Sequence, residues 1–305
     1  MDSPFTGVIP VDKPPGVTSR RVVDVVARAA RSRACGHAGT LDPLASGVVV
    51  VCLGSATRLV DLLHEQSKAY EAEFLLGRSS PSDDLETPVE EEAAPRVPSG
   101  AEIEAAAAAL RGTILQRPCD YSAVHVEGKR AYRLARKGRA VEVAPRPVHV
   151  ARLEITAWEW PRLAVEVECS SGTYIRALGR DLALAVGTRA VMASLRRTRV
   201  GPFTAGAATP LDALSPETLA LALRPPLDAL PHLPVARLEG ALLDRAVRGG
   251  LLDDAELARG ADLADRAPGA AGRVAAIDAE GALVGILARL EAGSWRLRPN
   301  FRGAG

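Results

Sequence analysis

One carboxylate stands out for where it sits. Asp42 lies in the run Gly-His-Ala-Gly-Thr-Leu-Asp-Pro-Leu-Ala-Ser-Gly over residues 36–47, with glycines at 36, 39 and 47 and Pro43 directly after the acid. Glycines admit backbone angles and close approaches that a side chain forbids, and the proline stiffens the turn. Ionised and held at a fixed angle, such a carboxylate can act as a nucleophile. A glycine-rich loop with one aspartate is by itself most often a turn, so the rest of the chain decides. Arg176 is a second candidate. The helix that begins after Ser-Ser-Gly-Thr at 170–173 has its apolar stripe at Ile175, Leu178, Leu182 and Ala185. Tyr174, Arg176 and Arg180 fall off that stripe, which leaves Arg176 free to point into a site.

Cations cluster unevenly. Residues 128–139 carry six basic side chains, no acid and one tyrosine, Arg196, Arg197 and Arg199 form a second group, and Arg28, Arg31 and Arg33 a third. A polyanion responds to such patches and not to the formal net charge, which is only +1. The acidic stretch 83–92, with prolines at 81, 88, 95 and 98 around it, reads as a solvated loop.

The elements that must position these groups are mixed. A strand over 7–11 leads into the turn Lys13-Pro14-Pro15-Gly16, and Thr18 or Ser19 can cap a helix with Val22, Val25, Val26 and Ala29 on one face. The run from Val48 to Leu53 reads as a buried strand anchoring the Asp42 loop. Residues 57–64 have a helical pattern and 70–76 a strand pattern. Ser99 and Glu102 have capping-box spacing ahead of an alanine-rich helix ending near Gly112. Leu163, Val165, Val167 and Cys169 alternate with polar neighbours, as in a strand with one buried face. A looser, proline-rich region from Pro210 to Pro234 is the expected domain boundary. Beyond it, a helix at 240–248 and strand-like runs at 273–278, 283–290 and 295–297 suffice for a compact barrel.

With 305 residues and 47% hydrophobic side chains, the chain can build one large and one small core. No window approaches the roughly 18 uninterrupted apolar residues needed to span a bilayer, and the N-terminus lacks a signal pattern, so the expected location is cytoplasmic. The cysteines, at 35, 52, 119 and 169, form no Cys-x-x-Cys pair and read as reduced thiols without a metal.

Several motifs now line up in order: residues 11–16, 36–47, Lys68-Ala69-Tyr70, 118–123 with Gly128-Lys129-Arg130-Ala131-Tyr132, and Ser171-Gly172-Thr173-Tyr174-Ile175-Arg176. Together they resemble the TruB-type bacterial tRNA pseudouridine-55 synthases over residues 7 to about 200. The resemblance implies an α+β fold: a mixed, mainly antiparallel sheet flanked by helices with a central cleft. It also implies a small C-terminal β-rich PUA-like domain, so that residues 1–230 would form the catalytic domain and 231–305 the RNA-binding one. The implied reaction isomerises uridine to pseudouridine at position 55 in the tRNA T-loop, with no cofactor, no metal and no obligatory protein partner.

Carried over residue by residue, the resemblance makes Asp42 the nucleophile, attacking either the uracil ring or the ribose carbon. Arg176 would favour the ionised acid and orient it through two parallel hydrogen bonds. Tyr70 would stack on uracil and assist proton removal from C5, Leu195 would close the other side of the base pocket, and Asp84 would support the site. His37 would fill the space left by a flipped nucleotide, and Lys13 with Pro14 would shape the cleft floor. Tyr174, Lys129, Arg130 and Arg196 complete the substrate-binding set, the basic run 129–139 and Arg196 to Arg199 being read as phosphate contacts. Departures from the family pattern are Ser80-Pro81-Ser82 where Thr-Asp-Thr is usual, Thr87 for a glycine, Ala34 for a basic residue and His125 for a lysine. Two other functions fit parts of this pattern: a catalytically silent tRNA-binding folding helper, and an N-glycosidase pairing Asp42 with Asp83 or Asp84. The related guide-dependent class, which works with protein partners, is a third.

Overall fold

The computed structural model describes residues 5–121, 125–126, 129–130, 143–260, 272–290 and 293–302. Its central feature is a ten-stranded mixed sheet. Ten strands build it: β1 (Gly7–Lys13), β2 (Cys35–His37), β3 (Ser46–Leu53), β4 (Lys68–Leu76), β5 (Gly112–Gln116), β6 (Arg146–Glu159), β7 (Arg162–Cys169), β8 (Ala190–Val200), β9 (Phe203–Thr204) and β10 (Thr209–Pro210). The path runs β10-β1-β3-β8-β4-β7-β6-β5, with β9 on β8 and β2 on β3. Only the β10–β1 and β3–β8 pairs are parallel, so the sheet is mainly antiparallel.

Strand β3 shows why the sheet sits where it does. Its run Val-Val-Val-Val-Cys-Leu from residue 48 alternates between two cores, Val49, Val51 and Leu53 entering one and Val48, Val50 and Cys52 the other. A strand apolar on both faces must lie in the middle of a structure. One edge of β3 pairs with β1 throughout. The other edge is divided: β2 takes Val51 to Leu53, while β8 meets it only at Ser46 and Gly47. The chain between β2 and β3, which carries Asp42, therefore enters the sheet where β3 and β8 part.

Helix α1 (Ser19–Ala29) starts at Thr18, whose side chain accepts from the Arg21 backbone N–H, and it buries Val23 where the sequence pattern had Val25. The segment expected as one helix over 57–64 is a 3-10 turn, Gly54–Leu59, followed by α2 (Val60–Glu65). Helix α3 (Gly100–Ala109) has the capping box expected of Ser99 and Glu102. Helix α4 (Ile175–Ala185) lies against β4, where Gly179 leaves room for the Phe74 ring; a Cβ there would come within 2.0 Å of it.

A second sheet, of five strands, contains β11 (Val235–Arg237), β12 (Leu252–Asp253), β13 (Arg273–Ile277), β14 (Leu283–Arg289) and β15 (Ser294–Asn300), ordered β11-β13-β14-β15-β12. The proline-rich region before it is no loose linker. Leu227, Ala229, Leu230 and Leu233 pack in one apolar cluster with Val48 and Val50 of the first sheet and Ala275 and Ile286 of the second. Among the described residues no helix is long and apolar enough to cross a membrane.

Candidate active site

Asp42 and Arg176 meet although 134 positions separate them in the chain: Arg176 Nε stands 3.0 Å from Asp42 Oδ2. Arg176 is the second residue of α4, and far from being exposed it is 95% buried (5% accessible). The Asp42 side chain keeps 33% of its surface open. The other nitrogens of the guanidinium face elsewhere, Nη1 donating to the Ser82 carbonyl at 2.8 Å and Nη2 to the Tyr121 carbonyl at 3.1 Å. Nη1 also lies 3.4 Å from Asp84 Oδ2. The expected two parallel bonds from Arg176 to Asp42 are thus replaced by one contact, because the fork is shared among three further acceptors.

Asp84 is buried, an exception within the 83–92 loop, whose residues from Leu85 to Glu91 are mostly exposed as expected. Its Oδ1 accepts from Ser82 Oγ and, at 3.0 Å, from the Glu86 backbone N–H. Ser82, one of the departures from the family pattern, therefore holds the carboxylate that faces Arg176. Glu86 reaches from the same loop to the Leu44 N–H at 3.1 Å and so ties it to the Asp42 loop.

Three buried side chains fix the loop itself. Lys13 is fully buried, and its Nζ donates to the carbonyls of Val17 at 2.6 Å, Pro14 at 3.0 Å, Pro43 at 3.3 Å, and Ala45. Arg197, 1% exposed, donates to Val48 O at 2.7 Å, Gly39 O at 3.1 Å and Thr40 O at 3.3 Å. Ser19 Oγ accepts from the Leu41 N–H and donates to the Leu41 carbonyl, at 2.8 and 3.0 Å. Arg197 is thereby removed from the phosphate contacts expected of 196–199: its donors are used on loop carbonyls, a role that a cluster of arginines does not signal in sequence. Gly47 has φ +104°, and a Cβ there would lie 2.2 Å from the Arg197 carbonyl, so the loop closes onto β8 only with glycine.

Around Asp42 opens a cleft of about 390 Å³ whose wall includes Tyr70, Leu195, Tyr174, Arg146, Lys68 and His64. Tyr70 is in β4 and Leu195 in the neighbouring β8, with Tyr70 opposite Arg197 and Ala72 opposite Leu195. Burial pushes the Tyr70 phenol above its ordinary range, Arg197 pulling in the opposite direction. Lys68 is pushed down to about 8, by burial first and then by Arg197. His64 is lowered by burial and by Lys68.

The cavity wall does not include His37, Lys13 or Arg196. His37 ends β2, its Nδ1 buried without a hydrogen-bond partner and its pKa lowered by burial, Arg197 and His64. Arg196 pairs with Asp12 through two bonds of 2.9 and 3.2 Å, and Arg199 Nη2 with Glu168 at 2.6 Å. Lys129–Arg130 form a short strand paired with His125–Val126; their side chains, and residues 131–139 of the basic run, lie outside the described part. So do Ser122 and Ala123 of the fourth motif. Sequence reasoning missed Arg146, Gln116 and Ser19 as site elements, since each stands in a strand or helix start with no local chemical signature, and it gave Lys68 no role although that residue opens the Lys68-Ala69-Tyr70 motif.

Comparison with known proteins adds three findings. The model of the TruB family pseudouridylate synthase N-terminal domain matches residues 27–175, and that of the tRNA pseudouridylate synthase B C-terminal domain matches residues 176–226. The chain is 42% identical to the tRNA pseudouridine synthase B of Gloeobacter violaceus, over 80% of this chain and 85% of that one. With the Mycobacterium avium protein of the same name it shares 46% over 68% and 69%. Among solved structures it is similar to the H/ACA RNP bound to a substrate RNA containing 2'-deoxyuridine (TM-score 0.72, 25% identity, 97% of this chain and 85% of that). It is likewise similar to a Cbf5-Nop10-Gar1 complex (TM-score 0.71, 26% identity, 98% and 85%).

Proposed function

Since this chain belongs to the TruB family of pseudouridylate synthases, we propose that its cleft isomerises uridine to pseudouridine at position 55 of the tRNA T-loop, with Asp42 as the nucleophile. The observation that carries this reading is the Asp42–Arg176 contact of 3.0 Å at the edge of an open cleft lined by Tyr70 and Leu195. In the reaction the N1–C1′ glycosidic bond breaks, the uracil turns, C5 bonds to C1′, and the proton lost from C5 is balanced by one gained at N1, so the mass of the RNA is unchanged. Asp42 attacks either the ring or the ribose carbon, and Arg176 stabilises the carboxylate before attack and as it is released. Uracil lies between Tyr70 and Leu195. Tyr70 assists proton removal from C5, its phenol pKa raised by burial while Arg197 pulls the other way.

A base inside a folded loop is out of reach of this cleft, so the nucleotide flips out, at a cost of a few kcal/mol. His37, on the strand beside the Asp42 loop, fills the space left in the RNA. Lys129, Arg130 and Arg196 contact phosphate. Residues 231–305, whose strands form the second sheet, act as a PUA-like RNA-binding unit, and the enzyme needs no protein partner. The test incubates purified protein with unmodified tRNA transcript and maps pseudouridine by carbodiimide primer extension. One stop in the T-loop is expected, abolished in Asp42→Asn, which still binds tRNA because it loses a nucleophile and also a negative charge near RNA. Conversion by Asp42→Asn at the wild-type rate, or release of free uracil, would refute the assignment.

A further inference from the structure

The cations on the cleft wall are not equivalent. Arg176, Arg197 and Lys68 are buried and donate to main-chain carbonyls, Arg176 pairing with acids as well. Arg146, the first residue of β6, is half-buried and makes no ion pair with a described residue. Its guanidinium lies over the Tyr174 ring, 5.1 Å from the centroid, and Nη2 donates to the Gly172 carbonyl at 2.8 Å. Its Nε is buried without an acceptor.

The support beneath Arg146 is built with care for position. Gln116, fully buried and opposite Arg146 in the β5–β6 ladder, grips the Tyr174 backbone from both sides: its Oε1 accepts from the Tyr174 N–H at 2.8 Å and its Nε2 donates to the Tyr174 carbonyl at 3.0 Å. That fixes where the tyrosine ring starts. Gly172, at φ +84°, takes a backbone conformation that side chains rarely adopt and presents its carbonyl to Nη2. An arginine stacked on an aromatic ring and held at one nitrogen is pre-organised, with donors left over, for an anion approaching from the cleft.

We infer that Arg146 is a substrate-binding residue that takes the phosphate flanking the target uridine, and that the Gln116–Tyr174 pair positions it. The inference rests on the RNA-modifying reading above and deepens it by naming the cation that holds the nucleotide at the cleft. The test compares wild type with Arg146→Gln and Arg146→Lys on a T-stem-loop RNA. Glutamine can keep a donor for Gly172 without charge, and lysine keeps charge without the planar stack. Expected for Arg146→Gln are a KM raised about tenfold, a kcat within about threefold, and a log-log salt slope of binding smaller by roughly 0.7 to 0.9, the share of one phosphate. Arg146→Lys restores the salt slope and only part of KM.

Substrates carrying a neutral methylphosphonate on either side of the target complete the cycle. At one of the two positions the penalty of Arg146→Gln disappears, because the partner charge is already gone. If Arg146→Gln folds, as its circular dichroism and melting show, but matches wild type in KM and salt slope, or if neither methylphosphonate couples to it, the inference is wrong. Wild-type conversion in the same assay keeps that outcome distinct from a failure of the proposed function.

Discussion

Arg176 divides its guanidinium among Asp42, Asp84 and the carbonyls of Ser82 and Tyr121, and this division decides how its loss is felt. Arg176→Met would leave Asp84 as a buried carboxylate with its cationic partner gone, at a cost of about 3–5 kcal/mol. It would also release Asp42 from its only described ion pair. Urea melts should show the stability loss, and single-turnover assays at saturating RNA should show a rate at least about a hundredfold lower. A variant as stable as wild type would mean that the Asp84 contact carries no weight. At this scale the sequence was informative where chemistry and spacing coincide in short runs: Asp42, Tyr70 and Arg176 each sit inside a motif, and all line one cleft. It was misleading where like residues cluster. Arg196, Arg197 and Arg199 read as one basic patch, yet strand alternation puts Arg197 inward and Arg196 on the other face with Asp12, and a register shift between Arg197 and Arg199 accompanies the pairing of Arg199 with Glu168. Arg146 and Gln116 could not be read as a pair at all, since only the β5–β6 register brings them together.

Among the elements, the loop between β2 and β3 is held by a buried ammonium, and its titration offers a direct check. Burial, reinforced by Arg197 and opposed by Asp42, lowers Lys13 to about 8 from an ordinary 10.5. The unfolded chain keeps that proton up to about pH 10.5 while the folded one begins to release it near 8. Between these values unfolding takes up a proton, so this group's contribution to stability rises with pH. Below pH 8 the buried charge is offset by its four carbonyl acceptors. Lys13→Met removes both the charge and the acceptors' partner, so it should be destabilised at pH 7. The advantage of wild type over the variant should then widen from pH 8 to 10 in paired urea titrations. A constant difference across that range would show that the folded lysine keeps its proton. Legibility at this scale followed local signals. The Ser99–Glu102 capping box and the buried run of β3 are local and appear in the fold, as do Ile175, Leu178 and Leu182 of the α4 stripe, whereas Ala185 is exposed and Ala183 is buried in its place. The expected helix at 57–64 divides into a 3-10 turn and α2, and Ala56 and Leu59 of the one with Leu62 and Leu63 of the other all enter the second core. Strand β5, by contrast, gains its pairing from β6, and β8 from β3 and β4, all partners far along the chain.

For the molecule as a whole, the question is whether its two sheets unfold as one. The chain between them looks like a linker in sequence because prolines break every periodic pattern, and its apolar residues recur in no register long enough to read. In the fold those residues seal an apolar seam in which Val48 and Val50 of one sheet share a cluster with Ala275 and Ile286 of the other. Polar ties run alongside: Arg273 to Glu65 at 2.6 Å, and Arg58 to the Asn300 carbonyl. Such exposed ties contribute little, about 0–1 kcal/mol for an ion pair, so the apolar seam must supply most of the coupling. The tryptophans allow each sheet to be followed alone, since Trp158 belongs to β6, Trp160 follows it directly, and Trp295 is buried in β15. With Trp295→Phe the fluorescence reports the first sheet, and with Trp158→Phe and Trp160→Phe together it reports the second. In an otherwise wild-type chain the two urea transitions should coincide, as a two-state unit requires. Adding Ile286→Asp places a charge in the seam without touching the cleft, and should separate the transitions, with Trp295 reporting the earlier one. Transitions already separate before that substitution would mean that the seam does not join the sheets, and coincidence after it would mean that Ile286 is not part of what joins them.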